Sequence, residues 1–147
     1  MELRETLRAD LVVAMRSGDA QRRDVIRMLL AAIKQVEVDT RSELDNDGIQ
    51  DVLRKQLKQR QESITDFEKA GRPNEVASEL AESAIIESYL PQMMSRQEIE
   101  LLARRIVDEM GGADNKMMGQ VMSRLMPQVK GRADGRVVNE VVRGLLQ

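Results

Sequence analysis

Apolar residues recur every three to four positions along nearly the whole 147-residue chain, and only nine glycines and three prolines interrupt them. That spacing lays an apolar stripe along each of a series of helices, and no segment shows the alternation that a half-buried strand needs. Leu3, Leu7, Leu11 and Ala14/Met15 form the first stripe, with Gly18 where a helix C-cap belongs. Asp19 can cap a second helix, on which Ile26, Leu29/Leu30, Ile33 and Val36 face one way. The polar stretch from Asp39 to Asn46 reads as a loop. Asp47 then reads as the cap of a long third helix with Ile49, Val52/Leu53, Leu57, Ile64 and Phe67, stopped at Gly71. Pro73 fits the first turn of a fourth helix, which the spacing carries to Leu90, before Pro91. Glu75, Glu79 and Glu82 form an acidic stripe on that helix, and the rest of its girth is apolar enough to touch two neighbours.

Past Pro91 the pattern shortens. Ser95-Arg96-Gln97-Glu98 is a capping box that opens a helix with Ile99, Leu102/Ala103, Ile106/Val107 and Met110, ended by Gly111-Gly112. Asp114 is placed to cap the next, with Met118, Met122 and Met126 beside Val121 and Leu125, and Pro127 is expected to break it. After a loop over 130–135, Val137/Val138, Val141/Val142 and Leu145 make the last helix. The expectation is an all-α protein with an N-terminal domain of about four helices over 1–94 and a three-helix domain over 95–147.

What is missing narrows the chemistry. The chain has no cysteine and no histidine, which removes disulfides, thiolate nucleophiles, Cys/His metal sites and the usual proton shuttle at neutral pH. No metal or cofactor is expected, although a carboxylate-only magnesium site or a Ser/Lys mechanism would survive the exclusion. Phe67 and Tyr89 are the only aromatics, too few for a base-stacking platform. The longest apolar run, Met28 to Ile33, is flanked by Arg27 and Lys34, so no membrane span is expected. The opening Met-Glu-Leu-Arg-Glu lacks the basic-then-apolar order of a signal peptide, and a cytoplasmic protein is the expectation.

Charge is distributed unevenly. Residues 114–147 carry six cations against three carboxylates, a net +3, whereas the whole chain is at −2. Lys130, Arg132 and Arg136 surround Gly131 and Gly135 at the start of the last helix. Helix-start N–H groups after Asp134 and neighbouring cations could hold a phosphate there, Lys116 being a further candidate, or the segment could be only a capped turn. Arg54, Lys55, Lys58 and Arg60 could form a second basic strip, or a solvated face with partners such as Asp51 for Lys55. Arg60 falls on the apolar stripe, three residues after Leu57 and four before Ile64. A structural ion pair with the acidic stripe of the fourth helix explains it better than a ligand contact. Gly119 inside a helix is expected to mark a close helix crossing, and the methionines from 117 to 126 to fill the core or face a partner.

Several segments together carry a resemblance. Lys55-Gln56-Leu57-Lys58-Gln59-Arg60 leads to Ser63, Phe67 and Ala70-Gly71-Arg72. Later come Tyr89-Leu90-Pro91, Met118-Gly119-Gln120-Val121-Met122 and Gly131-Arg132-Ala133-Asp134-Gly135-Arg136-Val137-Val138. In order and spacing they resemble the YqeY-like proteins of the GatB/YqeY family, over essentially the whole chain. The resemblance implies a larger N-terminal helical domain followed by a small three-helix domain. It also implies kinship with the C-terminal tail of the B subunit of the aspartyl/glutamyl-tRNA amidotransferase, and so association with tRNA. A family label of carbon–nitrogen ligase with glutamine as amido-N-donor comes with it, but no catalytic residue does. Pro73-Asn74-Glu75-Val76 and Gln92-Met93-Met94 depart from the pattern that many relatives show.

Three functions follow as expectations. The first is a non-catalytic, tRNA-associated accessory protein that uses the basic tail. The second is a helical protein–protein interaction module with no RNA role, with amidotransferase components among the conceivable partners. The third, a free-standing amide-transfer enzyme, is weakest, because the serines are scattered over caps and helix surfaces and no Gly-rich phosphate loop is present.

Overall fold

Helix caps set most of the boundaries in a computed structural model that describes residues 2–147. Among the described residues there are seven α-helices, one 3-10 turn and no strand. The helices are α1 (Leu3–Ser17), α2 (Ala20–Thr40), α3 (Asn46–Lys69), α4 (Pro73–Glu87), α5 (Arg96–Glu109), α6 (Met118–Val129) and α7 (Gly135–Leu146). The chain divides into two compact units, the first ending at Leu90 and the second running Pro91–Gln147.

In the first unit, α1 packs on α2 and α3, and α4 packs on α3 and α2. The two-neighbour expectation for α4 therefore has its partners. Leu7, Ile26, Leu29, Ile33, Leu53 and Ile86 are sealed from solvent at the centre. Each such side chain contributes about 1.5–3 kcal/mol of burial. Gly18, left-handed at φ 75°, closes α1, and the Asp19 carboxylate caps α2 by accepting the Arg22 N–H at 3.1 Å.

In the second unit, α5, α6 and α7 each touch the other two. Ile99, Ala103, Val121, Leu125, Val138 and Val142 form their common core, and Met118, Met122 and Met126 pack against it half-buried. Ser95 Oγ caps α5, accepting the Glu98 N–H at 3.1 Å. The sequence reading put residues 91–94 with the first unit. Their hydrogen bonds run the other way: the Met94 N–H donates to the Arg132 carbonyl at 2.6 Å, and Arg132 Nε donates to the Gln92 carbonyl at 3.2 Å.

Several boundaries differ from the sequence reading. The cap of α3 is Asp45, which accepts the Gly48 N–H at 2.8 Å, and Asp47 lies in the first turn, where a carboxylate suits the helix dipole. Helix α4 stops at Glu87, not Leu90, because the residue before Pro91 disfavours α geometry. Residues 88–90 form a turn in which Tyr89 and Leu90 N–H groups donate to the Ile86 and Glu87 carbonyls. Asp114 caps the 3-10 turn Asn115–Met117, and α6 starts only at Met118. Pro127 does not end α6. It removes a single backbone donor in the last turn, and the fully buried Val129 beyond it offsets the loss. Gly119 is exposed, with open space where a Cβ would stand, so it marks no helix crossing. At the last helix, Leu146 is buried and Leu145 only half-buried.

Candidate nucleic-acid interface

The α6–α7 turn is built from its ends inward. Val129 is buried as the last residue of α6, and Val138 as the first fully buried residue of α7, so the five residues between the helices must reverse the chain at the surface. Gly131 supplies the left-handed step at φ 76°, and the Arg132 N–H closes the turn on the Val129 carbonyl at 2.8 Å. Lys130, Arg132 and Arg136 are all exposed around it. Among the described residues, none of the three has a carboxylate within ion-pair distance.

Two features of the turn correct the sequence reading. The Asp134 carboxylate itself takes the Arg136 N–H at 2.8 Å. An anion already occupies the start of α7, so a phosphate there would meet repulsion where helix-start N–H groups were expected to attract it. Arg132 is also not free of structural duty, since its Nε holds the Gln92 carbonyl.

The structure separates the candidates. Lys116 lies in the 3-10 turn at the far end of α6, about 18 Å of helix from Lys130 at 1.5 Å per residue. Arg143, which the sequence reading did not pick out, is exposed on α7 seven residues after Arg136. Two helical turns bring it back to the same side as Arg136, and that seven-residue spacing was the available signal. The neighbouring carboxylate on α7, Glu140, is paired with Arg96 at 3.2 Å.

The strip on α3 does not form one surface. Lys55 and Lys58 are exposed and without a carboxylate partner among the described residues, whereas Arg54 holds Asp51 at 2.6 Å and Gln50 at 3.1 Å. Arg60 turns inward. Its Nη1 donates to Glu79 at 3.0 Å and to Glu82, and its Nη2 points at the Met28 sulfur at 3.0 Å. The arginine thus ties α3 to α4 and α2.

Two further polar contacts hold the first unit. Arg4 and Glu37 pair at 2.6 Å between α1 and α2, and the Leu44 N–H donates to the same carboxylate at 2.8 Å. The arginine hydrogen bond, with the Leu44 N–H second, holds the Glu37 carboxyl below the usual carboxylate range. The Tyr89 hydroxyl donates to Asp10 at 2.6 Å, and burial together with that carboxylate pushes the phenol up to about 12. No cluster of three or more metal-ligating side chains occurs among the described residues. No helix among them is long and apolar enough to cross a membrane.

Similarity to known proteins covers both units. The family described as Yqey-like protein matches residues 4–146. Relatives named "altered inheritance of mitochondria protein 41, mitochondrial" include that of Eremothecium gossypii, 38% identical over 99 residues, covering 67% of this chain and 54% of the relative. That of Komagataella phaffii is 31% identical over 152 residues, covering 94% and 80%, and that of Pyrenophora tritici-repentis is 27% identical over 140 residues, covering 93% and 77%. The match to the Eremothecium relative and to that of Lachancea thermotolerans spans a little over half of each, 54% and 53%. Because the family match runs from the first turn of α1 to the last residue of α7, the chain belongs to the YqeY-like protein family.

Proposed function

We propose that this protein is a tRNA-associated accessory protein whose second unit meets RNA phosphates through Lys130, Arg132 and Arg136. The supporting observation is the turn itself, where three exposed cations without carboxylate partners crowd one chain reversal and Arg143 extends them along α7. The resemblance to the tRNA-facing tail of the amidotransferase B subunit points the same way. The contacts are sequence-independent, since no aromatic side chain is exposed there to stack on bases. They are made by side chains alone, because Asp134 already occupies the helix start. On this reading the two units are the two domains expected from the sequence, four helices and then three. The protein carries no amide-transfer chemistry of its own, and the carbon–nitrogen ligase activity that the resemblance implies belongs to the enzyme in which a similar module is found. It works in an aqueous compartment that holds folded tRNA, as the cytoplasm and the mitochondrial interior both do.

Salt dependence of tRNA binding tests this. Three phosphate contacts give a log–log slope of about −2 to −3. Lys130→Glu with Arg136→Glu should flatten it by about two contacts while leaving the thermal midpoint nearly unchanged, because neither side chain has an internal partner. Arg132→Glu is the informative third arm, expected to lower both affinity and midpoint as the Gln92 contact is lost. Equal affinity and slope for wild type and the double variant would refute the reading.

A further inference from the structure

The outer side of the α1–α2 pair carries a groove that the RNA reading leaves unused. Arg4, Arg8, Val12 and Met15 recur along one flank of α1, and Arg27, Leu30, Lys34 and Val38 along one flank of α2. Two contacts show that these flanks face each other: Arg4 with Glu37 at 2.6 Å at one end, and Arg27 Nη2 with the Met15 sulfur at 3.8 Å at the other. An open cavity of about 620 Å³ lies between them, lined by the cations Arg4, Arg8, Lys34 and Arg41, by Leu30 and Val38, and by two carboxylates, Glu37 and Glu43, the first of them held by Arg4.

The groove combines unmatched charge with unmatched apolar surface. Arg4 is neutralised by Glu37, but Arg8, Arg27, Lys34 and Arg41 have no carboxylate within ion-pair distance among the described residues. Val12, Met15 and Val38 stand 45%, 51% and 61% exposed. Arg41, the one described non-glycine residue with positive φ, at 54°, closes α2 in a left-handed conformation at the groove's end.

An RNA backbone would answer the cations but gain nothing from the aliphatic side chains, and no ring is there to stack a base. A small anion would engage one or two cations of a groove about 16 Å long, from Leu30 to Arg41 at 1.5 Å per residue. A helix with an apolar stripe flanked by carboxylates matches both properties along that length. We propose that the α1–α2 groove docks an acidic amphipathic α-helix of a protein partner, its apolar stripe on Met15, Leu30 and Val38 and its carboxylates on Arg8, Lys34 and Arg41. The proposal does not rest on the RNA reading.

The probe is a synthetic helix of about 18 residues, long enough to lie along the groove. It carries leucine at every third or fourth position and glutamate on both flanks, and is titrated into the full chain with labelled methyl groups. The Met15, Leu30 and Val38 methyl signals should shift and saturate. The same peptide with glutamine for glutamate should bind at least tenfold more weakly, which tests the charge match on the unaltered protein. Arg8→Glu with Lys34→Glu should produce a similar loss, with circular dichroism confirming that the helices persist. Groove methyls that ignore the acidic peptide, or respond equally to its glutamine version, would overturn the proposal. So would groove methyls that shift with tRNA in place of the peptide, whereas tRNA binding confined to the α6–α7 turn leaves it intact.

Discussion

Arg60 sits with its side chain 13% exposed between Glu79 and Glu82, one turn apart on α4, and its Nε is buried without a partner. The guanidinium is what lets two like charges share that face, so removing it leaves both carboxylates unmatched in a half-desolvated site. Breaking a fully buried pair costs about 3–5 kcal/mol, and these carboxylates keep enough solvent to discount that to about 2 kcal/mol for Arg60→Ala. Arg60→Met retains the packed stem and should cost about 1 kcal/mol less. Denaturant melts of both variants provide the comparison, and equal, negligible effects would mean that the arginine does no structural work. Its inward placement was legible, because Leu57 and Ile64 bracket it on the apolar stripe and α4 offers an acidic one. The Met28 sulfur on α2 was not, since nothing local to either segment says that the two helices meet there.

At the scale of single helices, starts marked by Ser or Asp followed by a free N–H were readable, as at Asp19 and Ser95. The start of α3 was misread because Asp45 and Asp47 are both competent caps. Contacts from α1 select between them: the Leu3 N–H donates to Asn46 Oδ1 at 3.0 Å, and Glu37, held by Arg4, takes the Leu44 N–H. Gly119 was misread for the opposite reason, since a glycine in a helix suggests a close neighbour and none is there. At the second position of α6, with open space beyond it, Gly119→Ala should stabilise the protein by about 0.5 kcal/mol, somewhat less than the full interior difference. A loss of stability on thermal unfolding would restore the crossing interpretation.

Across the first unit as a whole, the Tyr89–Asp10 hydrogen bond joins residues 79 apart and fastens the end of α4 to α1. Tyr89 is the only tyrosine, so phenolate absorbance reports this one contact. The native hydroxyl should ionise at about 12 against an ordinary 10, and Asp10→Asn should bring it down. Because burial first and the Asp10 bond second raise the folded-state value, the stability linked to the neutral phenol is fully present below about pH 10 and is lost as pH climbs from about 10 to 12. A native titration near 10 would show the bond to be absent. The sequence by itself determined that this chain is helical throughout, the order and approximate extent of its helices, which residues form the cores and that its tail is basic. All of these follow from spacing and capping chemistry that acts within a few residues. Only the tertiary structure decided which cations are consumed. It spends Arg4 on Glu37, Arg60 on Glu79 and Glu82, and Arg132 in part on Gln92, while Lys130, Arg136, Arg8 and Lys34 keep their charge in solvent. A cation's availability depends on a partner brought close by packing, and helical periodicity carries no record of that partner.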